Sequence, residues 1–417
     1  MRVVHISTYD TAGGAAIAAY RIHRCLVSAG VDSVMVVREK RSGDETVIGP
    51  SPSERGIVRR GLDFLVSWLF RRIYRPSVPF SVNMRREDTA RRALQHRPDV
   101  IHLHWVANEC LKPESLGSFR RPIVWTLHDM WPMTGGCHYS GNCLRYREQC
   151  GACPVLRSRN QEDISRQEWR RKRKVLSEAA VTAAAPSRWM ADLARSSSIF
   201  QGRRVEVVSY SIDFDVFRPG SMAECRARLA LPPDCRIVLF CAAADEPRKG
   251  AALLKPALES LCREAGGMRL MVLTAGAAGR GIGDGLPVPV KCLGDVSDPH
   301  VLAACYSASD ATLVPSLEDN LPNVMLESMA CGTPCVAFRI GGIPEFVKHM
   351  TNGYLAEPFS ALDLGRGLKM ILEDVRLRSE FSAMSRAQIE RKCAPAVVAG
   401  QYLQIYERAL AERGIQR

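Results

Sequence analysis

The sequence of 417 residues lacks the features of a membrane-spanning or exported protein. It has no uncharged apolar run long enough to cross a bilayer, and the strand-like segment Val3–Ser7 is not followed by the apolar stretch and cleavage site of a signal peptide. The Gly-x-Gly-x-x-Gly fingerprint is also missing after that strand, which removes the main support for a nicotinamide or flavin enzyme. The sequence therefore favours a cytoplasmic protein outside the dinucleotide-dependent enzymes.

Basic residues outnumber acidic residues in the first half of the chain but not in the second half. Residues 1–220 contain 35 Lys and Arg against 22 Asp and Glu, whereas the remainder contains 22 of each. A basic first half indicates an anionic partner, such as lipid head groups, a phosphorylated substrate or nucleic acid, unless the arginines simply face solvent. We expect no nucleic-acid partner, because the aromatic residues do not interleave with the basic runs as a stacking platform requires.

The segment 57–75 pairs five arginines with large apolar side chains, among them Trp68 and Phe70. Such a basic amphipathic stretch is typical of a helix at an anionic membrane surface, and it predicts a peripheral location at the inner face of the membrane. The basic run at 170–174 would extend that contact. The alternative is a helix that packs on its own domain and leaves its arginines in solvent.

Apolar runs alternate with helical patterns along the chain, which predicts parallel sheets flanked by helices. The first series of strands is Val3–Ser7, Val34–Val37, Val100–Leu103, Ile123–Leu127, Thr182–Ala185 and Val205–Val208, and the second is Ile237–Cys241, Arg269–Thr274, Val290–Leu293, Ala311–Val314 and Cys335–Phe338. Two series in a chain of this length predict two doubly wound α/β domains. We place the first at 1–208, a linker at 209–219, the second at 220–394, and at 395–417 a final helix that either caps the second domain or crosses back to the first.

Loops with the composition of ligand-binding segments follow several of these strands. Gly13 and Gly14 come after the first strand and before a helical pattern, where a helix N-terminus would suit a phosphate group, although a simple tight turn has the same composition. Arg248 and Lys249 follow the first strand of the second series, at the edge where open α/β sheets bind ligands.

A second motif of the latter half runs from Pro315 to Pro334. Asp319 and Glu327 are eight positions apart, so one precedes a predicted helix and the other lies about a turn inside it. A ligand at that helix N-terminus would meet both carboxylates together with backbone amides.

These motifs together resemble the retaining glycosyltransferases of family 4, which have the GT-B fold of two Rossmann-like domains facing a cleft. The resemblance rests on Gly13-Gly14, Thr126–Asp129, Ala185–Ser187, Arg248–Gly250, Glu318–Pro334, Gly341–Glu345 and Asn352-Gly353. The stretch from His128 to Tyr139 is similar to the branch of that family found in exopolysaccharide and colanic-acid-type gene sets. The resemblance implies transfer of a hexose from a nucleotide-diphosphate sugar to a glycan or lipid-linked oligosaccharide, with retention of configuration.

The resemblance also implies roles for single residues. Lys249, helped by Arg248, would neutralise the diphosphate of the donor as it leaves, and Glu327 would accept hydrogen bonds from the ribose hydroxyls. Asp319 stands where the family usually has a glutamate and would hold a sugar hydroxyl, with Glu318 as the alternative. The residues between these carboxylates, Asn320, Leu321, Pro322 and Asn323, would complete the donor site together with Gly13 and Gly14.

His128 follows the strand Ile123–Leu127 and would contact the donor sugar or the acceptor, whereas His102 and His104 alternate like strand residues and are interpreted as structural. The family chemistry needs no metal, because cations and a helix N-terminus can stabilise the charge that develops on the diphosphate. No protein nucleophile is expected.

Four cysteines fall within seventeen residues, Cys137, Cys143, Cys150 and Cys153. A reducing cytoplasm disfavours disulfides, and four thiolates suit tetrahedral zinc, so the cluster predicts a structural zinc site beside His128. An iron–sulfur cluster and unligated thiols are the alternatives, because only the last pair has a usual zinc spacing.

Two other functions compete with glycosyl transfer. A sugar-nucleotide epimerase shares the fold but gives no reason for the motif at Glu318–Pro334. A non-catalytic nucleotide-sugar binding protein gives no reason for His128, Lys249 and Glu327 to occur together.

Overall fold

In a computed structural model of the protein, the described residues are 1–51, 72, 74, 76, 78–84, 88–242, 246–264, 266–276, 285–412 and 414. They form two compact units, one of Met1–Tyr210 with Val398–Arg417 and the other of Ser211–Val397. The units part within the segment 209–219, and most of the last helix belongs to the first unit. None of the helices in these ranges combines the length and the hydropathy that crossing a membrane requires.

The first unit is built on a parallel sheet of seven strands. They are β1 (Arg2–Tyr9), β2 (Asp32–Glu39), β3 (Val47–Ile48), β4 (Val100–Leu103), β5 (Ile123–Thr126), β6 (Val181–Ala185) and β7 (Val205–Val207). Their order is β3-β2-β1-β4-β5-β6-β7, so the chain changes direction across the sheet between β1 and β4. Every residue of β4, β5 and β6 is buried, as expected for strands covered on both faces by helices.

The second unit has a parallel sheet of six strands. They are β8 (Arg236–Cys241), β9 (Leu270–Ala275), β10 (Val290–Cys292), β11 (Ala311–Val314), β12 (Cys335–Phe338) and β13 (Gly353–Ala356). Their order is β10-β9-β8-β11-β12-β13, which is the doubly wound Rossmann order with its switch point between β8 and β11. The prediction of two Rossmann-like parallel-sheet domains is confirmed.

Helices cover both sheets. They are α1 (Gly14–Ser28), α2 (Thr89–Gln95), α3 (Ile164–Glu178), α4 (Arg188–Ser196), α5 (Met222–Arg228), α6 (Leu254–Glu264), α7 (Pro299–Ala308), α8 (Asn323–Ala330), α9 (Ala361–Glu373), α10 (Val375–Cys393) and α11 (Pro395–Ala411). Several begin at a side chain that accepts hydrogen bonds from the first free backbone amides, as Asp163 does for α3 and Ser187 for α4. In the first unit, α11 packs its buried residues Tyr402 and Tyr406 on the sheet.

Two strands were missed by the sequence analysis. Strand β3 has only two residues, too few for a periodic pattern to show. Strand β13 begins at Gly353, where a Cβ would lie 2.6 Å from the carbonyl oxygen of Cys335 on the neighbouring strand. A glycine there permits close packing of the two backbones, but in the sequence it reads as a turn.

Candidate functional site

The loops of the second unit bring the predicted donor residues together at the sheet's switch point. The loop after β8 carries Arg248 and Lys249 in a short 3-10 turn, and the loop after β11 carries Glu318 and Asp319. Because β8 and β11 are neighbouring parallel strands, their carboxyl ends open at one edge. This is the position at which doubly wound sheets bind ligands.

Lys249 and Arg248 hold the carboxylate of Asp319 between them. Lys249 Nζ donates to Asp319 Oδ2 over 2.7 Å, and Arg248 Nη1 lies 3.2 Å from the same oxygen. Arg248 also donates to the carbonyl oxygen of Glu318 at 2.9 Å and to Glu246 Oε2 at 2.7 Å. The two cations are therefore fixed in position by contacts with both loops.

The buried Asp319 is ionised by this arrangement. Its side chain is only 7 % exposed, and burial alone would raise its pKa, but the charges of Lys249 and Arg248 lower the pKa below the usual value of an aspartate. Asp319 thus acts first as the partner of Lys249, while the side chain of Glu318 next to it is half-buried.

Two glycines of the motifs allow these loops to touch. Gly250 has φ +74°, and a Cβ there would lie 1.8 Å from the carbonyl oxygen of Pro315. Gly341 has φ +55°, and a Cβ there would lie 1.8 Å from the carbonyl oxygen of Asp319. Any other residue at either position would push the loops apart and disturb the ion pair of Lys249 with Asp319.

Glu327 lies one turn inside α8 and is buried, and it has a partner that the sequence analysis missed. Tyr306, from α7, donates its hydroxyl to Glu327 Oε2 at 2.8 Å. Cys241, the last residue of β8, interacts electrostatically with both Glu327 and Lys249. The carboxylate proposed for the ribose and the cation proposed for the diphosphate therefore flank the same strand end. The remaining residues of the predicted donor site, Asn320, Leu321, Pro322 and Asn323, form the buried or half-buried link from Asp319 into α8.

In the first unit, Gly13 and Gly14 lie at the N-terminus of α1, directly after β1. Gly13 is the N-cap with φ +87°, a conformation that glycine adopts without strain, and its carbonyl accepts the amide of Ile17 at 3.0 Å. The loop is therefore a turn onto a helix N-terminus. These glycines belong to the first unit, whereas the cluster around Lys249 belongs to the second.

His128 ends a chain of buried imidazoles in the first unit. His5 Nδ1 lies 2.8 Å from His104 Nε2, His104 Nδ1 lies 3.1 Å from His128 Nε2, and His128 Nδ1 lies 3.0 Å from the hydroxyl of Tyr210. A neutral imidazole has one donor and one acceptor, so the protons of the three rings must point in the same sense along the chain. The tautomer of His128 is therefore coupled to those of His104 and His5.

A second set of hydrogen bonds ties the same face of the sheet to α11. His102 lies 2.8 Å from the hydroxyl of Thr126 and 2.6 Å from that of Tyr406, and Thr126 lies 2.8 Å from the hydroxyl of Tyr402. The structural role predicted for His102 agrees with these contacts. His104 was also predicted to be structural, but it has a further role, because it directly contacts His128.

Burial keeps these histidines neutral. It lowers the pKa of His128 to about 4 despite the opposing charge of Asp129, and it lowers the pKa of His23 to about 4. The pKa values of His5, His102 and His104 are likewise driven well below 6.5, first by burial and then by neighbouring imidazoles. His128 is thus a neutral hydrogen-bonding group near pH 7 and not a proton donor in its charged form.

His5, His102 and His104 place three ring nitrogens within 4.8 Å of one another, which is the spacing of a metal site. Both nitrogens of His102 and of His104 already have partners, however. In addition, 2.8 Å between His5 and His104 suits a hydrogen bond, whereas two nitrogens on one zinc ion lie farther apart, at about 3.3 Å for zinc–nitrogen bonds of about 2.0 Å. We interpret this group as a hydrogen-bonded network.

The loop after β5 is held by Asp129, the neighbour of His128. Its carboxylate contacts His138 Nδ1 at 2.6 Å and accepts Trp105 Nε1 at 2.8 Å and the amide of Trp131 at 2.9 Å. Burial opposes ionisation of Asp129, but these partners lower its pKa overall. Asp129 therefore shapes the loop that follows His128.

Two predictions about the basic first half stay predictions. The segment 57–75 lies outside the described residues apart from positions 72 and 74, so nothing is known of its contact with a membrane. In the basic run at 170–174, Lys172 is 2 % exposed and Arg171 forms ion pairs with Glu114 and Glu168, whereas Arg170, Arg173 and Lys174 are exposed. The contact of this run with an anionic surface therefore concerns its three exposed residues.

Two known protein families match this chain, and the two matched segments correspond closely to the two structural units. Residues 12–216 match Glycosyltransferase Family 4, and residues 235–374 match Glycosyl transferases group 1. The chain is 28 % identical over 394 residues to the D-inositol 3-phosphate glycosyltransferase of Frankia alni, which covers 89 % of both proteins. It is 33 % identical over 167 residues to the protein of that name from Segniliparus rotundus, covering 38 % of this chain and only 37 % of the relative.

Solved structures agree in fold. Sucrose-phosphate synthase from Thermosynechococcus elongatus superposes with a TM-score of 0.69 at 20 % identity, covering 99 % of each chain. Anabaena HepE, in complex with UDP and glucose, superposes with a TM-score of 0.66 at 17 % identity, covering 98 % of this chain and all of the other.

The two parallel sheets and these structural relatives define a protein of the GT-B fold. More particularly, both of its units carry glycosyltransferase family domains, of Glycosyltransferase Family 4 in the first and of Glycosyl transferases group 1 in the second. The resemblance drawn from the sequence is confirmed at that level. The relatives named above are inositol-phosphate glycosyltransferases, so the exopolysaccharide branch is left as a proposal.

Proposed function

We propose that this protein is a retaining glycosyltransferase that moves a hexose from a nucleotide-diphosphate sugar to a glycan or lipid-linked oligosaccharide in bacterial surface polysaccharide synthesis. One observation carries the proposal: Arg248, Lys249 and the ionised Asp319 meet at the switch point of the second sheet, beside the helix that bears Glu327. The similar fold of HepE, which is described with UDP and glucose, supports a nucleotide-sugar donor.

In the proposed reaction the leaving group is a nucleoside diphosphate, whose phosphate gains negative charge as the bond to the sugar breaks. Lys249 and Arg248 offer two positive charges to the phosphate oxygen that leaves the sugar. Their contacts to Asp319, Glu318 and Glu246 hold them in place before the donor binds. Preorganised charge of this kind stabilises a transition state without a metal. Glu327, oriented by Tyr306, would accept the ribose hydroxyls.

The position of Asp319 favours Glu318 as the carboxylate that reads the donor sugar. Asp319 Oδ2 is already shared by two cations, so a sugar hydroxyl would compete with them for it. The side chain of Glu318 is half-buried beside this pair. We assign Asp319 to positioning Lys249, and Glu318 to the sugar.

His128 would contribute as a neutral hydrogen-bonding group. Both of its ring nitrogens have partners, His104 and Tyr210. A substrate hydroxyl would therefore take the place of the Tyr210 hydroxyl, while His104 keeps the ring oriented. A neutral imidazole can orient an attacking hydroxyl without forming a covalent intermediate, in keeping with a front-face, retaining transfer.

A second acceptor is favoured by the names of the relatives. The proteins from Frankia alni and Segniliparus rotundus are D-inositol 3-phosphate glycosyltransferases. An inositol phosphate would also suit a protein whose first half has an excess of basic residues.

The test is a screen of nucleotide-diphosphate sugars by thermal shift, followed by transfer of the radiolabelled sugar from each donor that binds. We expect at least one donor to raise the melting temperature, because a ligand that binds only the folded state stabilises it. Label in an organic extract of supplied membranes indicates a lipid-linked acceptor, whereas label in inositol phosphate indicates the second candidate. Binding without transfer to either, and without donor hydrolysis, would favour a non-catalytic binding protein.

The role of Lys249 is tested with a matched control. Lys249→Ala should lower turnover by roughly 100-fold or more, the usual effect of losing one preorganised donor to a developing oxyanion. Lys255→Ala, which removes an exposed lysine six positions further along the chain, should leave turnover unchanged. Equal turnover in the two variants would remove Lys249 from the diphosphate role.

A further inference from the structure

The four cysteines that follow β5 surround one small cavity in the first unit. Cys137, Cys143, Cys150 and Cys153 all line a cavity of about 20 Å³, and all but Cys143 are buried. Each of the four thiols also lies within electrostatic range of each of the other three. Residues as much as sixteen positions apart have thus been brought to one point by the fold.

Backbone amides are already aimed at two of these sulfurs. The amide of Gly135 donates to Cys150 Sγ at 3.2 Å, and although burial raises the pKa of both thiols, the backbone amides of Val155 and Leu156 favour the thiolate of Cys153. Amide donors favour a thiolate over a thiol, because a charged acceptor makes the stronger hydrogen bond. Metal-bound cysteines are thiolates, so these turns are suited to ligands.

Glycines make these turns fit. A Cβ on Gly135 would lie 2.2 Å from the carbonyl oxygen of Ser165 and 2.9 Å from the Cβ of Cys150. Gly151, between Cys150 and Cys153, has φ +141°, and a Cβ there would lie 2.4 Å from the carbonyl oxygen of Gln161. Glycine is therefore required at a contact with Cys150 and in the turn between Cys150 and Cys153.

A buried cation lies beside the cluster. Lys172 is 2 % exposed, donates to the carbonyl oxygens of Trp131 at 2.6 Å and Thr134 at 3.1 Å, and interacts electrostatically with Cys137 and Cys150. A zinc ion with four thiolates carries a net charge of −2, so an ammonium group next to it offsets part of the cost of burying that charge.

We propose that Cys137, Cys143, Cys150 and Cys153 bind one structural zinc ion, which fixes the loop between β5 and α3. Tetrahedral zinc with bonds of about 2.3 Å places its sulfurs about 3.8 Å from one another. The four thiols lie farther apart than this. Among the described residues, the group whose ligand atoms lie within 4.8 Å of one another consists of His5, His102 and His104 and contains no cysteine. Closure on the metal therefore involves rotation of the cysteine side chains.

The site has a structural role next to the proposed chemistry. The same loop carries His128, Asp129 and His138, the partner of Asp129. Fixing its far end at four points would restrict the conformations open to this segment, as structural zinc does elsewhere.

The first measurement is the metal content of the full chain, made in a reducing cytoplasm and purified without chelator. We expect about one zinc per chain. The variant Cys150→Ser/Cys153→Ser should lose it, whereas the matched control Cys262→Ser/Cys292→Ser, which changes two exposed cysteines of the second unit, should keep it. Zinc that survives the first double substitution would overturn the proposal.

A second measurement does not depend on the folding of a variant. A mercurial reagent is titrated into the wild-type protein while a chromophoric chelator reports released zinc, and release should accompany the modification of about four thiols. Cobalt substituted for zinc should show the absorption of a tetrahedral tetrathiolate site. Four reactive thiols with no metal, a disulfide among these cysteines, or iron with inorganic sulfide in place of zinc would each overturn the proposal.

Discussion

Mild acid should destabilise the first unit far more than the second, because the first unit buries five neutral histidines. They are His5, His23, His102, His104 and His128, all with pKa values lowered by burial. A group whose folded pKa lies below its unfolded pKa binds protons preferentially in the unfolded state. The contribution of these histidines to the stability of the unit is therefore complete above about pH 6.5, the pKa of a histidine in the unfolded chain. It is lost as the pH falls from there toward about 4.

The size of the effect follows from the linkage relation. Between pH 7.5 and pH 5.5, each histidine that stays neutral in the folded state lowers the free energy of unfolding by about 1.4 kcal/mol, so five of them lower it by roughly 7 kcal/mol. The aspartates with lowered pKa values, such as Asp10 and Asp129, remain ionised over this range and add nothing. For a unit of this size such a loss lowers the melting temperature by roughly 14 to 28 °C.

Tryptophan fluorescence isolates this unit, since all six tryptophans fall between positions 68 and 189. We expect the fluorescence melting temperature to fall steeply from pH 7.5 to pH 5.5. The variant His23→Gln should lose about a fifth of that dependence, and His300→Gln, an exposed residue of the second unit, should lose none. A fluorescence melting temperature that does not change over this range would refute the buried neutral network.

Four further substitutions test the assignments in the two units. Asp319→Asn should weaken binding of UDP, because Lys249 loses its ion-pair partner. Glu318→Gln should leave UDP binding unchanged and alter the preference among donor sugars. Equal and negligible effects of the two substitutions would contradict the motif assignment. Tyr306→Phe should weaken donor binding by roughly tenfold or more, the value of one hydrogen bond to a charged group, and should do so less for a 2′-deoxy donor. Tyr210→Phe should retain transfer, since a substrate hydroxyl replaces the tyrosine hydroxyl on His128; abolished transfer in a folded variant would show that Tyr210 itself is needed.

The strands could be predicted because they are buried on both faces. Runs such as Val100–Leu103 and Ala311–Val314 are apolar or small apart from His102 and Thr312, and their bounds were predicted correctly. The donor loops could be located because cations and carboxylates follow such runs directly. Their pairing could not be predicted, since Lys249 meets Asp319 across 70 positions of sequence.

The imidazole chain shows what the sequence pattern leaves out. His102 on β4 and His104 directly after it alternate with apolar residues, which is the pattern of a structural pair, and nothing local connects them with His5, some hundred residues away. One signal was available, because polar residues recur on one face of the sheet at His102, His104 and Thr126, which lie on β4, just after β4 and on β5. A buried face with such a pattern needs internal hydrogen-bond partners, which here include tyrosines of the last helix.

The anomeric configuration of the first product shows whether the protein transfers a sugar from a nucleotide-diphosphate donor with retention. The protein is incubated with each α-linked donor that binds, and the anomeric proton is followed by NMR from the start of the reaction. We predict that at least one donor is consumed, that Lys249→Ala slows its consumption by roughly 100-fold or more, and that the first product has the α configuration. A β product would contradict retention, and a failure to consume any donor with either acceptor would contradict the proposed activity itself.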